Sequence, residues 1–303
     1  MRAAVNTEGR VARKIRIEWS LLAAHVAIIA FATIALTTFL AGAPPAWMRQ
    51  GYNAVIAAWA WKLSGPSYVV LGALAALAHA TRRLGGRRAL MLFVAGTLIS
   101  LASELIGTST GLPFGPYSYT TMLGYRIAGL VPFPIPLSWF YMIYCSLAIC
   151  GRILPVADDE RSKLVWAATG GLVLAAWDVS MDPAMSFATT HWVWHVVGPF
   201  YGMPWSNWFG WWLTGTIISR VCLAIVPPSM FAERVSPSPF TLVLYAINGV
   251  MPIAICARHS LAWAAVLGVI AMGIPLLLAI TAGTTSRTRQ RAGMLRMRGP
   301  ASG

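Results

Sequence analysis

Apolar runs about twenty residues long recur along this 303-residue chain, and each is long enough to carry a helix across the hydrocarbon core of a bilayer. Eight such runs fall at 18–42, 65–82, 88–107, 134–154, 164–182, 205–226, 239–257 and 260–282. Backbone inside lipid must satisfy its own hydrogen bonds, which leaves helices and closed barrels, and runs of this length predict helices. The expected fold is all-α, a polytopic transmembrane helix bundle of about eight helices. Composition agrees, because only 11% of residues are charged, against about 25% in soluble domains. Arg13, Lys14 and Arg16 precede the first run and Ala41-Gly42-Ala43 follows it, in the manner of a cleaved signal. Its apolar stretch exceeds the ~7–15 residues of a signal core, so a retained anchor is expected. The apolar stretch 53–61 either lies along the interface or starts an earlier crossing.

The net charge of +14 has a topological explanation. With both termini cytoplasmic, 19 of the 23 Lys and Arg fall in inner segments, and only Arg49, Lys62, Arg126 and Arg258 face outward. That split follows the positive-inside rule, set by anionic inner lipids and the insertion machinery. Basic residues spread over inner loops make no single nucleic-acid-binding face. The chain is therefore expected to be a multi-pass protein of the inner (plasma) membrane. One transmembrane domain over 1–283 and a basic, disordered cytoplasmic tail over 284–303 are expected. Cys145, Cys150, Cys222 and Cys256 lie within predicted helices without CxxC spacing and read as small buried apolar residues.

Nine acidic residues occur. Glu8, Glu18, Asp158, Asp159, Glu160 and Glu233 sit in basic inner regions, where solvated or paired surface charge is the ordinary role. Glu104, Asp178 and Asp182 instead fall in the third and fifth runs, near their outer ends. A carboxyl within an apolar span costs about 2.5–3.5 kcal/mol at mid-helix, which marks such groups as functional candidates. Asp178 and Asp182 are spaced i,i+4 and project from one helix face. Pro183 is expected to end that helix and Gly107 to loosen the end of the third. Helix C-termini disfavour negative charge, and desolvation and mutual repulsion act in the same direction. A carboxyl kept protonated near neutral pH is a proton donor.

The outer loops carry the remaining signals. Gly111-Leu-Pro-Phe-Gly-Pro-Tyr-Ser-Tyr119 follows Glu104 and specifies a fixed non-helical path, tolerated at this depth only when buried or lining a cavity. Pro132, Pro134 and Pro136 lead into the fourth helix, which carries Trp139. His191-Trp-Val-Trp-His195 forms another outer stretch, and Trp205, Asn207, Trp208, Trp211 and Trp212 open the sixth helix. Interface aromatics are often anchors. Beside three carboxyls they also suit a long, planar apolar ligand, and their faces stabilise a cation. His191 and His195 would be i,i+4 on a helix and able to ligate a metal; with five histidines in all, no metal site is expected. No nucleotide-binding glycine loop or nucleophile elbow is present.

Glu104 with Gly-Leu-Pro-Phe-Gly-Pro-Tyr-Ser-Tyr-Thr (111–120), Asp-Val-Ser-Met-Asp-Pro (178–183), Trp192-Val-Trp194, Gly-Met-Pro-Trp-Ser-Asn (202–207) and Gly210-Trp211 resembles the integral-membrane carotenoid-biosynthesis proteins. That family includes carotenoid 1,2-hydratases, also called gamma-carotene 1'-hydroxylases or bisanhydrobacterioruberin hydratases. The likeness covers about 95–225. It implies addition of water across the terminal C1–C2 double bond of an acyclic carotenoid end, giving a tertiary alcohol without a cofactor. It also implies the bilayer and other carotenoid-biosynthesis enzymes as partners. On this reading Asp182 or Asp178 is the acid and Glu104 the water-orienting base. Phe114, Tyr117, Tyr119, Trp139, His191, Trp192, Trp194, His195 and Trp211 contact substrate, and Asn207 holds the water. Two alternatives stay open. One is an intramembrane prenyltransferase, for which Asp178-x-x-x-Asp182 supplies one of two Asp-rich motifs. The other is a non-catalytic carotenoid- or lipid-binding carrier.

Overall fold

The computed structural model describes residues 2–39, 44–232 and 238–297. Eight of its helices are long and apolar enough to cross a membrane, as the hydropathy pattern requires. Helix α1 (Arg2–Ile34) passes into a π-helical turn, Ala35–Phe39, and a short 3-10 turn at Ala46–Arg49 leads to α2 (Gly51–Leu84). Then come α3 (Gly86–Thr110), α4 (Pro134–Ile153), α5 (Glu160–Asp182), α6 (Trp205–Ile225), the single turn α7 (Pro228–Phe231), α8 (Phe240–Arg258) and α9 (Ala262–Met297).

Helix α4 is the hub. Every residue from Ser138 to Gly151 is buried, and α2, α3, α5, α8 and α9 all pack on it. A helix apolar on every face belongs inside a bundle, and the sequence of α4 has that character. The most extensive helix pair is α5 with α6. It closes on small residues: a Cβ at Gly171 would lie 2.7 Å from the Trp212 carbonyl oxygen and 2.9 Å from the Thr216 nitrogen. Membrane helices approach this closely where small residues face each other. Asp159 starts α5, its carboxylate accepting from the Ser162 N–H at 2.9 Å, which satisfies one free donor of the first turn.

Several expectations change. Of the two alternatives for residues 53–61, the earlier crossing is the one found: they belong to the first half of α2, one 34-residue helix that runs through Pro66. Pro183 ends the α-helix at Asp182 as expected, but the chain does not leave the helical path there and widens into a π-helical turn over Pro183–Ala188. The wider turn accommodates the N–H that proline lacks. Helix α3 continues past Gly107 to Thr110. Glu18 is not a surface charge. It is fully buried and accepts both Nε (2.7 Å) and Nη2 (2.8 Å) of Arg82. Helix α9 is described to Met297. Ala41-Gly42-Ala43, Glu233 and Arg234 lie outside the described residues. All four cysteines are buried free thiols.

Two short strand pairs stand at the end of the bundle where α3 and α5 finish and α4 and α6 begin. β1 (Tyr117–Tyr119) pairs antiparallel with β4 (Trp192–Trp194), in register Tyr117↔Trp194, Ser118↔Val193 and Tyr119↔Trp192. β2 (Arg126–Ile127) and β3 (Val131–Pro132) form a second pair. The β1–β4 ribbon is continued by Thr120 N–H to His191 O and by His195 N–H to Pro116 O, both at 2.9 Å. It ties the α3–α4 loop to the α5–α6 loop.

Candidate active site

Side chains alternate across a strand, so the ribbon turns one set of residues toward the bundle and the other away. Tyr117, Tyr119, Trp192 and Trp194 face a cavity of about 680 Å³. Ser118 and Val193 are the alternate residues and are not among its walls. Phe114, just before the ribbon, is held between α3 and α6: a Cβ at Gly107 or at Gly210 would come within 2.7 Å and 2.6 Å of its ring. The cavity size is that of a small-molecule site.

Glu104, on α3, is 3% exposed. Three donors converge on it: the hydroxyls of Tyr117 and Tyr119 (2.9 Å) on Oε2, and the Trp139 indole N–H on Oε1 at 3.1 Å. Burial, and then the charge of Glu104, push both phenols well above the usual tyrosine range. They therefore remain O–H donors at any working pH. Hydrogen bonds from such donors to a charged acceptor are the strong kind, and this cradle suits a carboxylate.

The second acidic centre is built by α5 and α6. Asp178 and Asp182 are 0% and 2% exposed. One amide serves both: Asn207 Nδ2 donates to Asp178 Oδ2 at 2.8 Å and to Asp182 Oδ2 at 2.6 Å. Asp182 Oδ1 accepts from the Trp192 indole at 2.8 Å. The two aspartates are not equivalent. Asp182 lines the cavity together with Glu104, while Asp178 is not among its walls. Asp178 Oδ1 has no hydrogen-bond partner among the described residues. Both amide hydrogens of Asn207 are taken, so this residue holds the aspartates and has no N–H left for a water.

Aromatic rings form the floor. Trp139 and Trp211 stack at 4.3 Å, and Trp177 meets Trp211 edge-on at 5.9 Å. Phe114, Tyr117, Tyr119, Trp139, His191, Trp192, Trp194, Asn207 and Trp211 all reach the cavity; His195 does not. His195 sits at the exposed end of the ribbon, its Nε2 3.0 Å from Ser118 Oγ. The two histidines are not helical neighbours, because 192–194 is a strand. His191 Nδ1 pairs with Thr189 Oγ1 at 2.7 Å, and burial lowers its pKa to about 4. Among the described residues no group of three or more potential metal ligands occurs.

Some walls were not among the expected site residues. Trp177 and Met181 on α5 and Met185 in the turn after it extend the Asp face, and i,i+3 spacing from the aspartates points to Met181 and Met185. Tyr68, Met48 and Arg49 extend the cavity along α2 and the turn before it. They come from a region without an acidic residue or a recognisable motif, so only packing reveals them.

Comparison with known proteins gives the family. The family described as "Carotenoid biosynthesis protein" matches residues 64–275, a wider span than the motif-bearing stretch. Bisanhydrobacterioruberin hydratase of Haloarcula japonica is 32% identical over 131 residues, which is 43% of this chain and 43% of that protein. The chain thus matches less than half the length of this curated relative. No solved structure matches. With Glu104, both aspartates, Asn207 and the ribbon all inside the matched span, the chain belongs to the carotenoid biosynthesis protein family.

Proposed function

We propose that this protein is a membrane hydratase that adds water across the terminal C1–C2 double bond of an acyclic carotenoid end, leaving a tertiary alcohol at C1. The observation that carries the reading is the pairing of two buried carboxyls of different dress, Glu104 and Asp182, on one apolar, aromatic-walled cavity. The hydratase name of the relative supports the same chemistry.

Two like charges sharing one amide away from water are costly, so the Asp178–Asp182 pair holds a single proton and titrates as a unit. Asp182, the member on the cavity, delivers it. The Asp182 O–H bond breaks as the C1=C2 electron pair forms C2–H, leaving a tertiary cation at C1. The faces of Trp139, Trp192, Trp211 and Tyr117 stabilise that cation, and the Glu104 carboxylate offsets its charge. Water adds at C1 and yields a proton to Glu104, which returns it through the site for the next turnover. The addition is redox-neutral, and no cofactor is part of the proposal. Proton transfer of this kind contributes about 10²–10⁴ in rate, and the fixed dipoles of the cradle supply more.

The test is co-expression with enzymes that make an acyclic carotenoid in water labelled with oxygen-18. The expected product gains one water per processed end, with the label from water and not from dioxygen. Asp182→Asn and Glu104→Gln should each lower product by at least 100-fold. Full product from both variants would reject the scheme.

A further inference from the structure

Hydrogen-bond accounting within the ribbon leaves one donor over. Of the four aromatic side chains that β1 and β4 turn inward, three spend their polar hydrogen on a carboxyl: Tyr117 and Tyr119 on Glu104, Trp192 on Asp182. The indole N–H of Trp194 is buried and has no hydrogen-bond partner among the described residues. It acts on the Asp182 carboxyl as a nearby donor, yet it forms no hydrogen bond of good geometry with that group. Its ring lies 5.3 Å from that of Tyr117, whose hydroxyl is on Glu104. Trp194 therefore stands between the two carboxyls, on the cavity wall. Buried donors are nearly always satisfied, and a donor beside a carboxyl without a well-formed direct bond is where a bridging water fits.

We propose that the Trp194 indole N–H binds the oxygen that adds to the substrate, holding the water between Asp182 and Glu104. This rests on the hydratase reading and deepens it. The water accepts from Trp194 with one lone pair and turns the other to C1. One of its hydrogens points to Glu104. As the C1–O bond forms from the free lone pair, the water O–H bond breaks and Glu104 takes the proton. The same N–H then holds the oxygen of the tertiary alcohol. The role passes to Trp194 because Asn207 has given both of its amide hydrogens to the aspartates.

A cation that lacks a positioned water returns its proton, so the partition between exchange and capture reads this role. Membranes carrying the full-length protein are supplied with an acyclic carotenoid in deuterium oxide. At initial rate, the alcohol formed and the deuterium gained by recovered alkene are both measured by mass spectrometry. In Trp194→Phe the ratio of exchanged alkene to alcohol is expected to rise at least tenfold while exchange continues. The ratio does not depend on how much of the variant folds. Trp194→His, which restores a ring N–H, should recover part of the alcohol. Trp208→Phe removes another unpartnered buried indole N–H that does not face the cavity, and it should keep the wild-type ratio. A wild-type ratio in Trp194→Phe overturns the proposal, and so does loss of exchange and alcohol together. Neither alcohol nor exchange from the wild-type protein would overturn the hydratase reading beneath it.

Discussion

At the scale of single residues, the site depends on unequal treatment of similar groups. Glu104 receives three donors and Asp182 two, and Asp178 stands behind Asp182 off the cavity wall. Removing one donor from a charged acceptor costs about 1.5–3 kcal/mol, or roughly 10- to 100-fold in rate. Tyr117→Phe keeps the ring against Trp194 and deletes the donor to Glu104. Turnover should fall by about that factor with KM little changed, and unchanged turnover in a steady-state assay would show that the cradle is irrelevant. His191 offers a test by pH. Its folded value of about 4 lies below the ordinary histidine value of 6.5, so the unfolded chain binds the proton first. Stability should therefore fall as pH drops from 6.5 toward 4 and stay flat with respect to this group above 6.5. His191→Gln should flatten the melting temperature across that window; equal slopes in both proteins would contradict it. The acids themselves were legible in the sequence, since carboxyls stand out in apolar spans. The depth of Asp178 was not, because i,i+4 spacing fixes a shared face and says nothing of which member reaches the cavity. Asn207 was legible as a polar residue at a helix start, but its commitment to both aspartates needs the α5–α6 contact.

At the scale of elements, the helices were readable and the ribbon was not. Runs of about twenty apolar residues force helices in a bilayer, whereas β1 and β4 are three residues each and lie more than 70 positions apart. No hairpin turn joins them, so no local signal announces the pairing. What holds the ribbon over the site is the fit of the helices beneath it, above all α5 against α6. At Gly171 the obstruction to a side chain is backbone: Trp212 O and Thr216 N, with Thr216 Oγ1 at 2.5 Å. Gly171→Ala should thus destabilise the protein by about 1–3 kcal/mol, the usual cost of forced overpacking. It should also lower activity, since Asn207 rides on α6 and its partners on α5. Gly273→Ala, with nothing within 4 Å of the added carbon, should be neutral or gain up to ~1 kcal/mol from helix propensity. Denaturant midpoints of the two variants check this. A Gly171 variant as stable as the Gly273 one would mean that α5 and α6 part without cost.

At the scale of the molecule, the bundle has two chemically different ends. Arg49 and Arg126 lie at the end with the ribbon, and Arg258 joins them, its Nε donating to Thr37 O at 3.1 Å. The opposite end carries Arg82 and Arg83 in the last turn of α2, Arg87 and Arg88 in the first turns of α3, and Arg161 and Lys163 in the first turn of α5. Insertion retains the more basic loops on the cytoplasmic side, so the cavity is expected in the outer half of the membrane. This orientation rests on electrostatics and can be tested without reference to activity. The native cysteines are all buried, so a single introduced cysteine reports its own side. Val197, at 99% exposure, marks the ribbon end, and Asp159, exposed beside the start of α5, marks the other. In intact cells a membrane-impermeant maleimide should label Val197→Cys at once and Asp159→Cys only after permeabilisation. The reverse pattern would turn the bundle over. It would bring the cavity mouth to the cytoplasmic leaflet, and water and substrate would then enter from that side.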